Sequence, residues 1–168
     1  MFGLATDDSH HYHGQKEKNA RTGRGWVVVR AKSLSAVSLI EAMRAGDFYS
    51  SSGVEIESID FDKAKGKLSL KIRPVKGQTF KTEFIGTEAD YDKSSSVQLG
   101  ADGKPMRATK VYSDDVGKVL GASDSLTPEY QLTGKELYVR AVVTSSQEHA
   151  SPSFKDQKQQ AWTQPVGW

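Results

Sequence analysis

The chain has 168 residues, 23 Lys and Arg against 21 Asp and Glu, and no cysteine. That length supports a buried core in one domain or in a domain with an appendage, and the absence of cysteine excludes a disulfide framework. The interspersed charges argue against a nucleic-acid stripe, and no apolar run has the length of a membrane span or the pattern of a signal peptide.

The chain opens with the apolar run FGLA and passes directly into TDDSHHYHG. A short buried strand over Phe2–Ala5, delivering polar side chains at its carboxyl end, fits this pattern. Residues 14–25 carry three glycines and no apolar periodicity, and read as an exposed loop. WVVVRAK predicts a strand from Trp26 to Ala31. SLSAVSLIEAMRAGD predicts a helix with Ser35 as N-cap and Gly46 as left-handed C-cap. Its apolar face is Val37, Leu39, Ile40, Ala42 and Met43.

From Phe48 the period changes to two. Val54 and Ile56 alternate with Glu55 and Glu57, and the phase then shifts to Ile59 and Phe61, the mark of a bulge. Leu68, Leu70 and Ile72 share one face. So do Phe80, Thr82 and Phe84, and so do Leu137, Val139, Ala141 and Val143. Lys-Gly at 65–66 and Asp-Gly at 102–103 signal turns, the second that of a hairpin. The expected fold class is mainly β: an Ig-like antiparallel β-sandwich of seven or eight strands over 48–168, preceded by a short α/β segment over 1–47.

The chemistry concentrates in the opening stretch, where Asp7, Asp8, His10, His11 and His13 lie within seven positions. On an extended segment Asp8 and His10 point the same way, so both reach one cation. A carboxylate with an imidazole suits zinc, manganese or iron. Asp7 and His11 would face away, as neighbours or outer partners of the ligands. The competing reading is a polar tail with no site.

These residues also resemble a known family. FGLATDDSHHYHG, followed by GRGWVVVRAKSLSAVSLIEAMRAGDFYSSSGVEI, is similar to the C-terminal end of the PHP (polymerase and histidinol phosphatase) domain. The tail KELYVRAVVTSSQEHASPSFKDQKQQAWTQPVGW resembles the β-sandwich that some bacterial members append. The resemblance implies that 1–47 is the terminal strand and helix of a distorted (β/α)7 barrel and 48–168 an accessory β-sandwich. It implies that Asp8 and His10 are the last metal ligands of a metal-dependent phosphoesterase. The family's earlier His-x-His motif, its Glu and its other His ligands have no counterpart here. This chain alone is therefore expected to be inactive, and its implied partners are the remainder of the barrel or a second copy in a homodimer, with neither nucleic acid nor membrane.

A second function class stays open: a free-standing β-sandwich binding module, with Trp162, Pro165 and Trp168 as an aromatic platform for carbohydrate or protein. The more ordinary role for Trp162 is to plug the sandwich end or to pack against the barrel. Lys63, Lys65, Lys67, Lys71, Arg73 and Lys76 read as a solvated face, and Ser50, Ser51 and Ser52 lack the partners of a nucleophile.

Overall fold

Period-two alternation places the apolar side chains of several segments on one side each, and those sides meet. The computed structural model describes residues 1–13 and 21–167. Among these the chain is mainly β, with one short helix and antiparallel strand pairing throughout. Strand β1 (Trp26–Val29) and helix α1 (Ala36–Ala45) come first. Then follow β2 (Phe48–Ser51), β3 (Ile56–Asp62), β4 (Lys67–Ile72), β5 (Phe80–Glu88) and β6 (Ser95–Leu99). The chain continues with β7 (Pro105–Tyr112), β8 (Lys118–Ser123), β9 (Glu129–Gln131), β10 (Glu136–Glu148) and β11 (Lys158–Thr163).

A six-stranded sheet, β1-β2-β11-β10-β5-β8, faces a three-stranded sheet, β3-β4-β9, while β6 and β7 form a separate ribbon. The core between the two sheets holds Tyr49, Ile56, Leu68, Leu70, Ile72, Phe84, Val139, Ala141, Val143 and Ala161. This is the expected sandwich, with ten strands after residue 47 rather than seven or eight. The bulge expected in β3 is present, because the β3–β4 register shifts between Ile56 and Ser58. The 102–103 turn closes the β6–β7 ribbon, with the Gly100 amide donating to the Lys104 carbonyl at 2.9 Å.

The helix caps are those expected. Ser35 Oγ accepts from the Ser38 amide at 3.3 Å, and Gly46 turns left-handed at φ 81°. Gly46 is required twice over: a Cβ there would sit 2.7 Å from Phe2 Cζ, because the Phe2 ring packs onto the helix end and edge-on against Phe48. The apolar face of α1 is only partly used. Ala42 is buried, but Val37 is 67% and Ile40 50% exposed, and Leu34 just before the helix is fully open.

Two expectations need correction. Phe2–Ala5 is not a strand, because its backbone is bonded to side chains instead of a neighbouring ladder. Gly3 N donates to Gln164 Oε1 and Gln164 Nε2 to the Gly3 carbonyl, both at 2.9 Å, and Ala5 N donates to Ser50 Oγ at 3.0 Å. Leu137 does not share the inward face with Val139, Ala141 and Val143. The β10–β5 register shifts between Glu136 and Tyr138, so Leu137 is turned out and Glu136 is buried. The loop expected over 14–25 is described only from Arg21, and Trp168 lies outside the described residues.

Strand β1 joins the large sheet across residue 47, pairing with β2 from Trp26–Ser51 to Val29–Phe48. No helix is long and apolar enough to cross a membrane among the described residues.

Candidate functional site

The opening stretch is held at Asp7. One Asp7 oxygen, Oδ1, accepts from the Arg24 amide at 2.7 Å and the Gly25 amide at 2.9 Å, immediately before β1. The Gly25 amide, with those of Gly23 and Arg24 and the Arg24 charge, outweighs burial and holds the Asp7 carboxyl below the usual carboxylate range. The same loop is gripped from the far end of the chain. His149, buried beneath it, bonds through Nε2 to the Arg24 carbonyl at 2.9 Å, and the Arg24 guanidinium donates to Ser153 Oγ. Asp7 is thus an anchor for the backbone of 24–25, a role its sequence neighbours do not announce.

Just past this anchor the two predicted ligands come together. His10 Nε2 lies 3.3 Å from Asp8 Oδ1, with the side chains 71% and 88% exposed. The cause is not strand alternation. Asp8 takes a left-handed φ of 48°, a kink that Asp tolerates better than most residues, and this turns its carboxylate towards His10. His11 and His13 are exposed. Among the described residues, no group of three or more His, Cys, Asp or Glu side chains assembles to hold a metal. Two donors fall short of the three protein ligands that metal centres use, so the pair by itself is not a metal centre. It presents one carboxylate and one imidazole, both exposed to solvent.

A second feature lies on the face of the six-stranded sheet away from the core. Trp162 stands opposite Ser50 in the β11–β2 register, out of phase with Ala161 and Tyr49, which face inward. Residues 1–5 cross this face and roof a cavity of about 620 Å³ lined by Leu4, Tyr138, Arg140, Trp162 and Pro165 among others. Trp162 therefore sits in a cavity wall and does not plug the sandwich end. Another cavity, of about 680 Å³, opens at the edge of the sandwich between Val28, Phe48, Ile59 and Phe61, and its Arg30 is already paired with Asp47 at 2.9 Å.

The basic cluster over 63–76 is largely neutralised by acidic partners across the strands or within the same turn. Lys71 pairs with Glu57 at 2.7 Å, Arg73 with Glu55 at 2.7 Å, Lys67 with Glu129 at 3.0 Å and Lys65 with Asp62 at 3.1 Å. That is a solvated, self-paired face. Ser50, Ser51 and Ser52 are buried and spend their hydroxyls on backbone groups, including Ser51 Oγ on the Val54 carbonyl at 2.7 Å. No protein-family model matches the chain, and comparison with curated proteins and with solved structures gives no match either.

Proposed function

We propose that this chain is the C-terminal part of a PHP-type metal-dependent phosphoesterase, carrying the last metal-binding motif and a structural or partner-contacting β-sandwich, and that it is not catalytic alone. The observation that carries the reading is the Asp8–His10 pair: convergent at 3.3 Å, exposed to solvent, and without a third ligand among the described residues. The uncovered apolar residues Leu34, Val37 and Ile40 support it, since a helix face of this kind is normally packed. The remainder of the barrel, or a second copy, would cover that face. In such a site a divalent metal supplies water activation and charge neutralisation on phosphate. This chain supplies two ligand side chains and no acid or base.

The test is a calorimetric titration of the metal-stripped chain with manganese and zinc, beside His10→Ala. The reading expects weak binding that the variant loses, with no hydrolysis of a phosphate monoester by the chain alone. Identical titrations for the two proteins would remove Asp8 and His10 from any metal site.

A second reading, a free-standing binding module, is favoured by one observation. Trp162 lines a cavity rather than the core.

A further inference from the structure

The cavity on the outer face has an uneven distribution of hydrogen-bonding capacity. Three of its uncharged polar side chains are already committed to backbone, and the Tyr138 hydroxyl accepts from Thr87 Oγ1 at 3.3 Å. Ser50 Oγ accepts from Ala5 N, Thr163 Oγ1 accepts from the Ala141 amide at 2.8 Å, and the Gln164 amide is used on both sides by Gly3. Arg140 is different. It is the only charged side chain in the lining, it is half-buried, and no hydrogen bond or ion pair engages it among the described residues. Its cross-strand neighbour on β5 is the apolar Ile85, and Glu83, two positions along that strand, pairs with Lys81 at 2.6 Å.

A guanidinium carries five N–H donors in a planar fork and stays charged at any physiological pH. With no protein acceptor, the Arg140 donors have only water as partner, and an anion entering the cavity would take its place. The rest of the wall has an apolar and aromatic character: the Trp162 indole, the Tyr138 ring, Pro165 and Leu4. The volume of about 620 Å³ falls in the range of small-molecule sites, roughly 300–1,000 Å³.

We infer that this cavity binds a small molecule with an aromatic body and one carboxylate, the ring lying against Trp162 and the carboxylate on Arg140. Trp162 supplies apolar contact area, and Arg140 discriminates for charge by a bidentate pair. The inference deepens the binding-module reading by naming a ligand class, and it involves neither Asp8 nor His10.

The experiment is a calorimetric titration of the full chain with 2-naphthoate and, separately, with its neutral isostere 2-naphthamide. Naphthoate should bind about tenfold more tightly, the scale of one charge-assisted pair. Arg140→Met should abolish that preference while leaving the melting temperature close to wild type, and Trp162→Ala should weaken both ligands. Equal binding of the two compounds would overturn the carboxylate assignment and leave the aromatic platform standing. Binding of neither would overturn both. A preference that survives Arg140→Met would assign the anion to another group and so refute the inference. Should the Met variant fail to fold, the wild-type preference must still shrink between roughly 0.05 and 0.5 M salt, and constancy over that range would refute it as well.

Discussion

His149 holds the loop of Arg24 from 125 residues away: its Nε2 donates to the Arg24 carbonyl at 2.9 Å, while its Nδ1 accepts from the Ser151 amide at 3.0 Å. A carbonyl only accepts and an amide only donates, so the two partners fix the tautomer with the proton on Nε2. His149→Phe keeps the ring's bulk and leaves the Arg24 carbonyl and the Ser151 amide without their partners. We expect it to cost about 1–3 kcal/mol in urea unfolding, with faster amide exchange around residues 21–25. Unchanged exchange there would show that Asp7 and the Arg24–Ser153 contact hold the loop without His149.

Neighbouring aspartates should give opposite results. Asp7 satisfies two backbone amides, whereas Asp8 is exposed and, among the described residues, pairs with His10. Asp7→Ala should destabilise by about 1–2 kcal/mol, and Asp8→Asn, which keeps a side chain suited to the left-handed φ, or His10→Ala by less than about 0.5 kcal/mol. Chemical denaturation of the three variants decides this. A loss at Asp8 as large as at Asp7 would make the pair structural.

Glu136 predicts a pH dependence. Burial pushes its carboxyl up, but bonds from the Tyr130 hydroxyl at 2.8 Å, its own backbone, and the Thr133 amide and hydroxyl outweigh this and hold it below the ordinary range. On the other side of that bond, burial and the Glu136 carboxylate push the Tyr130 hydroxyl up to about 12. A carboxyl depressed by folding stabilises the fold above its unfolded pKa of about 4.3, and the contribution fades as pH falls through the folded value. Glu136→Gln should therefore be less stable than wild type at pH 7, by about 1–2 kcal/mol, with the gap closing below about pH 4. Parallel stability curves for the two proteins would rule out this linkage.

Thr82 runs the other way. It is fully buried in β5, and its hydroxyl has no hydrogen-bond partner among the described residues. Thr82→Val keeps the shape and removes a polar atom whose hydration is lost on folding. Stability should hold or rise by up to about 1 kcal/mol in thermal and urea unfolding. A loss of more than about 1 kcal/mol would mean the hydroxyl has a partner in solution, such as a bound water.

Much of this architecture is legible because local periodicity and caps encode it. Leu68, Leu70 and Ile72 alternate and are only 0%, 3% and 1% exposed, and Ser35 and Gly46 mark the helix ends. What escapes the sequence is set by partners distant along the chain. Phe2–Ala5 has the composition of a strand, yet its bonds go to Ser50 and Gln164. Leu137 keeps the alternation of its neighbours and is moved off the inward face by a bulge that no residue type announces. Asp8 and His10 lie 3.3 Å apart, but the extended segment expected from their spacing is replaced by a left-handed turn at Asp8. Arg140 looks like any outward charge on a strand, and only the roof formed by residues 1–5 makes it notable.

The position of β11 has a consequence for the order of events during synthesis. β2 is flanked by β1 on one side and by β11, the last strand, on the other, and Gly3 is fastened to Gln164 just beyond it. Residues 1–51 therefore emerge before β11 and cannot complete their seat until it has been made. They wait as an unattached strand pair and an amphipathic helix until residue 164 has emerged. Closing contacts across some 161 residues is slow, and until then the β2 edge lacks the partner that β11 provides. A chain halted before β11 would thus leave the β2 edge open and Gly3 without Gln164, and an open strand edge invites pairing with a neighbour.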